Sequence, residues 1–219
     1  MKTVLITGAS RGIGLETCKM FLENGYSVIG TSTTGNIDIE HKKLKKIALD
    51  LSKEKSIRSL TKELNNLRVD VLINNAGVLL EPWDDPTINM DLLRKTFEVN
   101  VFGLIDLTER VLSTIGPGGH IINIGLTWGS FSDDSRSQFQ PHYKLSKTAV
   151  HMYTLLLAER LKKSGITVSA LNPGGCRTDM TSQVGSRDPK EAAQDIYNLA
   201  TRKDVETGYF WYKGEITDW

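Results

Sequence analysis

The chain has 219 residues, with 27 Lys and Arg against 26 Asp and Glu, a net charge of +1, and 39% hydrophobic residues. That length gives room for one core-forming domain and hardly two, and the balanced charge leaves no reason to expect nucleic acid or an anionic membrane as the principal partner. Cys18 and Cys176 make no disulfide framework, no apolar run is long enough to span a membrane, and the run after Met1-Lys2 is too short for a secretory leader, so a reducing, cytoplasmic setting is the expectation.

Short apolar runs alternate with helical segments, the pattern of βαβ units. Val4 to Thr7 predicts a buried strand. A helix begins near Gly12, carries Ile13, Leu15, Cys18, Phe21 and Leu22 at helical spacing, and stops at Asn24-Gly25. Strands are expected at Ser27 to Ser32, Lys46 to Asp50 and Val69 to Asn74, with an amphipathic helix reaching about Leu67 before the last of them. Beyond a loop at Pro82 to Pro86, a long helix is predicted from Asp91 to about Ile115. Pro117-Gly118-Gly119 breaks the chain before a strand from His120 to about Gly125. A polar stretch, Ser130 to Pro141, then leads into a second long helix, Tyr143 to about Lys163, and a strand at Ile166 to Leu171. Asp188-Pro189-Lys190-Glu191 has the form of a capping box with Pro at the first helical position, predicting a helix to about Ala200. Tyr209 to Tyr212 is the last expected strand, with a turn at Lys213-Gly214. Seven strands and about six helices, without linker or repeat, predict an α/β fold: a single Rossmann-type domain over residues 1–219, built on a doubly wound parallel sheet.

Between the first strand and the first helix lies Thr7-Gly8-Ala9-Ser10-Arg11-Gly12-Ile13-Gly14. Glycine allows a tight turn and a close backbone approach to a pyrophosphate, which then sits at the positive end of the following helix. A glycine-rich turn without a ligand is the alternative, but this one occupies the strand–helix junction that the mechanism requires. The second predicted strand ends Gly30-Thr31-Ser32-Thr33-Thr34, with no carboxylate before Asp38. An acidic residue there would accept from a ribose 2′-OH and repel a 2′-phosphate. The hydroxyls of Ser32 and Thr33 can instead donate to a phosphate, and Arg11 can add charge to it. A solvated Arg11 remains the alternative. NADPH is therefore expected over NADH.

Four ordered motifs, TGASRGIG, NNAG at Asn74 to Gly77, EVN ending at Asn100 and YKLSK at Tyr143 to Lys147, resemble those of the short-chain dehydrogenase/reductase family over nearly the whole chain. NPGGCRTDM (Asn172 to Met180) is similar to the family's segment after the sixth strand, and the tail TGYFWYKGEITDW resembles carbonyl-reductase-like members. The resemblance implies that Asp50 meets the adenine, and that Leu51, Asn75, Ala76, Gly77, Pro173, Gly174 and Thr178 complete a dinucleotide site. It also implies a short substrate loop around 174–188, whose Gly185 suggests mobility. The two long helices resemble those that build family homodimers and homotetramers.

Tyr143 and Lys147 are four apart on a predicted helix and so share one face. An ammonium beside a phenol stabilises the phenolate and lowers a pKa that is ordinarily about 10. In isolation such a pair is more often a surface contact; with the glycine loop upstream it points to hydride transfer to a carbonyl with Tyr143 as proton donor. The substrate class is then a small-molecule carbonyl or alcohol. Asn100 resembles the family Asn that supports a proton-relay water, with an Asn that caps or kinks its helix as the competing reading. One departure stands out. Three residues past Asn123, where the family carries a Ser that bonds the substrate oxygen, this chain has Leu126. Thr127 is the expected substitute, with Ser130 more distant, and a relative with weak or lost activity that acts through partners is the alternative function.

His41, His120, His142 and His151 have no metal-ligand spacing, so no metal is expected. Asp84-Asp85 and Asp133-Asp134 are adjacent pairs whose side chains point apart. Trp83, Trp128 and Phe131 fall near the expected mouth, as pocket lining or as packing under loops.

Overall fold

The computed structural model describes residues 2–64, 67–132 and 137–219; the Asp133-Asp134 pair lies outside them. Eight strands form one sheet: β1 (Thr3–Ile6), β2 (Ser27–Ser32), β3 (Leu44–Ala48), β4 (Val71–Asn74), β5 (His120–Ile124), β6 (Thr167–Asn172), β7 (Tyr209–Tyr212) and β8 (Glu215–Thr217). Their order is β3-β2-β1-β4-β5-β6-β7-β8, parallel throughout except for the antiparallel β7–β8 pair. The helices are α1 (Gly12–Glu23), α2 (Glu54–Glu63), α3 (Met90–Phe97), α4 (Leu104–Val111), α5 (Pro141–Leu161) and α6 (Pro189–Thr201).

Alternation along each strand decides which helices cover which face. On β1, Val4 and Ile6 face a core that includes Phe21 of α1 and Ile196 of α6. Leu5 faces the opposite core, with Leu60 of α2, Leu107 of α4 and Leu157 of α5. Because both faces are buried, β1, β4 and β5 read as continuous apolar runs. Chain order reverses between β1 and β4, so the carboxyl ends of these two strands flank the crevice where such sheets take ligands.

Most predicted elements are present, with three differences. The third strand begins two residues earlier than expected, because β3 is an edge strand, paired only with β2, and its outward Lys45 and Lys46 hide the apolar alternation. The count of strands is eight rather than seven. Lys213 and Gly214 have φ of 50° and 83°, the left-handed pair a two-residue hairpin needs, and the turn folds the short exposed β8 back on β7. The helix expected from Asp91 contains a π-helical turn, Glu98–Gly103, joining α3 to α4. α6 has the predicted capping box, with Asp188 and Glu191 exchanging hydrogen bonds. The outer surfaces of α4's leading turn and of α5 expose Phe102, Met152 and Leu156. Among the described residues no helix is long and apolar enough to cross a membrane, and no group of three His, Cys, Asp or Glu side chains is placed to hold a metal.

Two buried imidazoles tie this fold to pH. His120 of β5 bonds Ser169 Oγ of β6 at 2.9 Å, and burial pulls its pKa from 6.5 to about 4. His151 of α5 accepts the Leu126 N–H at 3.2 Å and is lowered to about 4, by burial first and then by Lys147. In the unfolded chain both titrate near 6.5, so between those values the unfolded state binds more protons and stability falls as pH falls. Melting temperature should drop from about pH 6.5 to about pH 4, and His120→Gln should flatten that slope. A flat profile in the wild type would contradict this.

Candidate active site

The C-terminal ends of β1 and β4 are laced together by side chains. Thr7 Oγ1 accepts the N–H groups of Asn75 and Ala76, each at 3.0 Å. Asn75 Nδ2 donates back to the carbonyls of Thr7 and Gly8 at 2.9 and 3.2 Å. The glycine loop hangs from this lacing and from the Ala9 N–H, which donates to Thr31 O at 2.7 Å. Gly8 and Gly12 have φ of 69° and 54°, which an L side chain rarely adopts. At Gly14 a Cβ would come within 2.2 Å of Gly8 O and 2.5 Å of Asn75 Nδ2. This close approach leaves the loop backbone at the start of α1 bare toward the crevice.

A cavity of about 490 Å³ opens there. Gly8, Ser10, Arg11, Gly12, Ile13 and Gly14 line it, together with Ser32, Thr33, Asp50 and Leu51 from the β2 and β3 ends. Asn75, Ala76 and Gly77 come from the β4 end, Tyr143 and Lys147 from α5, and Pro173 and Thr178 from beyond β6. The structure thus brings together nearly every residue expected for a dinucleotide site. Gly174 is the exception. Its N–H donates to Asn172 Oδ1, and a Cβ on it would meet Arg187 rather than the cavity. The lining also includes Thr31, Leu49, Val78, Val99, Ile124, Asp179 and Met180, which sequence reasoning missed. Five of the seven, Thr31, Leu49, Val78, Val99 and Asp179, are next in the chain to an expected residue.

The donor set suits a dinucleotide. Among the described residues Thr31 Oγ1 is buried without a hydrogen-bond partner, and Thr31 lines the cavity beside the glycine loop. No carboxylate sits at the end of β2. The Asp50 carboxylate on the same wall is held below its ordinary range by Ser52 and Lys53, which bond it directly. Arg11, exposed at the rim, pairs with Asp179 at 3.3 Å.

Tyr143 and Lys147 come one turn apart onto the cavity wall, Lys147 Nζ standing 5.5 Å from the Tyr143 ring centroid. Lys147 is 3% exposed, donates to Ile124 O at 2.7 Å, and burial lowers its pKa from 10.5 to about 8. The phenol differs from the sequence expectation. Burial raises its pKa above 10, and the Glu81 carboxylate raises it further. The ammonium lies over the ring and is anchored on a backbone carbonyl rather than on the hydroxyl, so desolvation wins over its attraction for phenolate.

Asn100 sits in the π-helical turn, buried behind Gly77. Its Oδ1 accepts the Val78 N–H at 2.8 Å, and its Nδ2 donates to Val78 O at 2.9 Å and Ser146 Oγ at 3.1 Å. Asn100 therefore locks the segment after β4 to α5. It does not line the cavity, nor does Thr127. Thr127 opens a short helical turn, and its Oγ1 is bonded by Asn172 Nδ2. Leu126 presents no donor side chain, and its N–H is taken by His151.

In the loop beyond β6, Gly185 packs against Cys176, where a Cβ would lie 2.2 Å from the Cys176 carbonyl carbon, and Arg177 N–H bonds Arg187 O at 2.9 Å. At Gly185 itself the loop is tightly packed. Trp83, Trp128 and Phe131 are exposed and lie outside the cavity wall.

Known proteins resemble this chain. A family model described as short chain dehydrogenase matches residues 2–189. An uncharacterized oxidoreductase of Schizosaccharomyces pombe is 33% identical over 82% of the chain, which spans only 62% of that relative's length. The 3-oxoacyl-[acyl-carrier-protein] reductase of Vibrio cholerae is 30% identical, covering 94% of the chain and 83% of the relative. Among solved structures, a short-chain dehydrogenase/reductase from Burkholderia multivorans with bound NADP superposes at TM-score 0.92, with 22% identity, covering 100% of this chain and 99% of that one. NADPH-bound carbonyl reductase from chicken fatty liver gives 0.88 at 24% identity over 100% and 94%. A Brucella melitensis 3-ketoacyl reductase complexed with NADH gives 0.84 at 23% identity over 96% of each chain.

The cradle makes a direct demand on residue size. Gly14→Ala should lower stability by about 1–3 kcal/mol in urea unfolding, because the methyl meets backbone. Gly175, with open space around its Cβ position, provides the control: Gly175→Ala should change stability by less than about 0.5 kcal/mol. Equal effects at the two positions would contradict the close packing argued for Gly14.

Proposed function

The chain belongs to the short-chain dehydrogenase family of oxidoreductases, and from that premise we propose that it is an NADPH-dependent reductase of ketone or aldehyde carbonyls. The observation that carries the reading is the pairing of Tyr143 and Lys147 on the wall of the cavity that also holds the glycine cradle. A reduced nicotinamide bound there supplies a hydride; the chain supplies the proton and the charge. Tyr143 gives its phenolic proton to the substrate oxygen as that oxygen gains charge. The phenol is protonated near neutrality, the form a reduction needs. Lys147 gives the phenolate left behind a neighbouring positive charge, and holds the ribose hydroxyls of the cofactor. Asn100 backs this pair by holding the segment after β4 against α5.

Thr127 takes the part of the missing serine. Asn172 Oδ1 is committed to the Gly174 N–H, so Asn172 faces Thr127 with its amide nitrogen. The Thr127 oxygen must then accept, which leaves its own hydrogen to donate to a substrate oxygen. For the cofactor, Arg11, Ser32 and Thr33 receive the 2′-phosphate and Asp50 meets the adenine. The NADP- and NADPH-bound neighbours support this choice. One neighbour holds NADH, so the preference rests mainly on this chain's lack of a carboxylate at the end of β2.

A second reading follows from Leu126: a relative of weak or lost activity that binds the dinucleotide and acts through partners. The experiment that separates them follows NADPH absorbance with aldehydes, ketones and quinones. Turnover is expected with NADPH in preference to NADH, and Tyr143→Phe should cost about 100-fold or more. Undiminished turnover in that variant would overturn the proton donor, and binding without turnover across the panel favours the second reading.

Thr127→Val should cost about 100- to 1,000-fold in kcat if it removes the oxyanion donor. An unchanged rate in Thr127→Val, with a large gain in Leu126→Ser, would show instead that the donor is absent.

A further inference from the structure

Tyr143 lies in the first turn of α5, and what holds that turn comes from far away in the chain. The N-cap, Gln140, sits in the left-handed region at φ 53° and makes no side-chain cap, and Pro141 brings no N–H. The Tyr143 N–H donates instead, at 2.7 Å, to Oε1 of Glu81, 62 residues earlier in the segment after β4. Glu81 is 4% exposed. Its other oxygen lies 3.5 Å from Nδ1 of His142, which is 1% exposed. His142 Nε2 accepts the Asn89 N–H at 2.9 Å, so the ring of a neutral His142 carries its proton on Nδ1, toward the carboxylate. Asn89 in turn caps α3 through its side chain. One buried carboxylate and one buried imidazole thus close the β4–α3 segment over the start of α5.

A glutamine at position 81 would offer the same acceptor to the Tyr143 N–H at a far smaller cost of burial. What a carboxylate adds is charge. Part of that charge meets the positive end of α5. The same charge acts on the phenol of Tyr143, whose own N–H the carboxylate bonds.

We propose that Glu81 is a positioning residue for Tyr143, its buried carboxylate fixing the turn that carries the phenol and placing a negative charge beside that residue. The proposal rests on the reading of Tyr143 as proton donor. The pKa effect of Glu81 on Tyr143 runs in the same direction as burial, upward. The other titratable groups around the site are Lys147 beside the ring, His142 next in the chain, and Asp85, whose carboxyl is lowered by its hydrogen bonds from Thr87. A phenol biased toward its protonated form favours carbonyl reduction over alcohol oxidation at neutral pH, because only the oxidation needs the phenolate at its start.

The test measures kcat/KM against pH in the reductive direction for wild type, Glu81→Gln and Glu81→Asp. Activity that needs the protonated phenol is lost as pH rises through its pKa. Glu81→Gln keeps the acceptor and removes the charge, so the alkaline limb should move to lower pH by about one unit. Glu81→Asp keeps the charge but shortens the reach, so kcat should fall about tenfold with the limb unmoved. If Glu81→Gln does not fold, Glu81→Asp still decides: an unchanged kcat, or a limb that moves, overturns the proposal. So does a Glu81→Gln profile that superposes on the wild type. If the wild type turns over no carbonyl, the proposed function fails by itself. Tyr143 is then read without turnover, from phenolate difference absorbance of each background against its own Tyr143→Phe variant. Phenolate forming at the same pH with and without the Glu81 charge would overturn the electrostatic role.

Discussion

The Thr7 hydroxyl, accepting from two consecutive backbone N–H groups of the neighbouring strand, is the bond on which the rest of the site depends. Parallel strands end in step, but nothing in a ladder of hydrogen bonds dictates how their following loops diverge. Here the divergence is set by Thr7 and Asn75, which exchange bonds across the β1–β4 boundary. The glycine loop is thereby held against the Asn75–Gly77 segment closely enough to exclude a Cβ at Gly14. The crevice is consequently walled by backbone, a surface that can approach an anionic ligand with N–H groups and little steric bulk.

The opposite wall is organised by α5. Successive residues of this helix reach the chain beyond β5: Lys147 bonds Ile124 O, Thr148 bonds Gly129 O at 2.7 Å, and His151 accepts the Leu126 N–H. His151 itself packs against Phe210 and Trp219, whose rings stack on each other, so the C-terminal end of the chain backs the same segment. Proton-bearing and scaffolding groups therefore alternate along a single helix, and the scaffolding groups decide where Leu126 and Thr127 stand.

Much of this was legible in residue order, because the signals involved are local. Strand alternation, the glycine loop at its junction and the Asp188 capping box are patterns a few residues long, and the structure has them. So is the four-residue spacing of Tyr143 and Lys147. What escaped is non-local. Nothing near Glu81 in the chain announces that its partner is the Tyr143 N–H, and nothing near Asn172 announces Thr127. The upward push on the phenol escaped because burial depends on what the fold lays over it. β3 was displaced and β8 unseen because edge strands carry polar side chains and lose the alternation by which strands are found. The π-helical turn has no compositional mark at all.

That last feature has a consequence for chain length. A π-helical turn holds one residue more than the α-helical path around it, and each residue of an α-helix turns the chain by about 100°. Removing a single residue anywhere between Glu98 and Gly103 would let the backbone relax into unbroken α-helix. The flanking turns of α3 and α4 would keep their places, and the bulged stretch between them would lose its extra residue. The amide of Asn100, bonded on one side to Val78 and on the other to Ser146, would swing off both. Substitutions in this stretch exchange one side chain for another, whereas a deletion removes the bulge that presents Asn100, so the number of residues here matters as much as their identity.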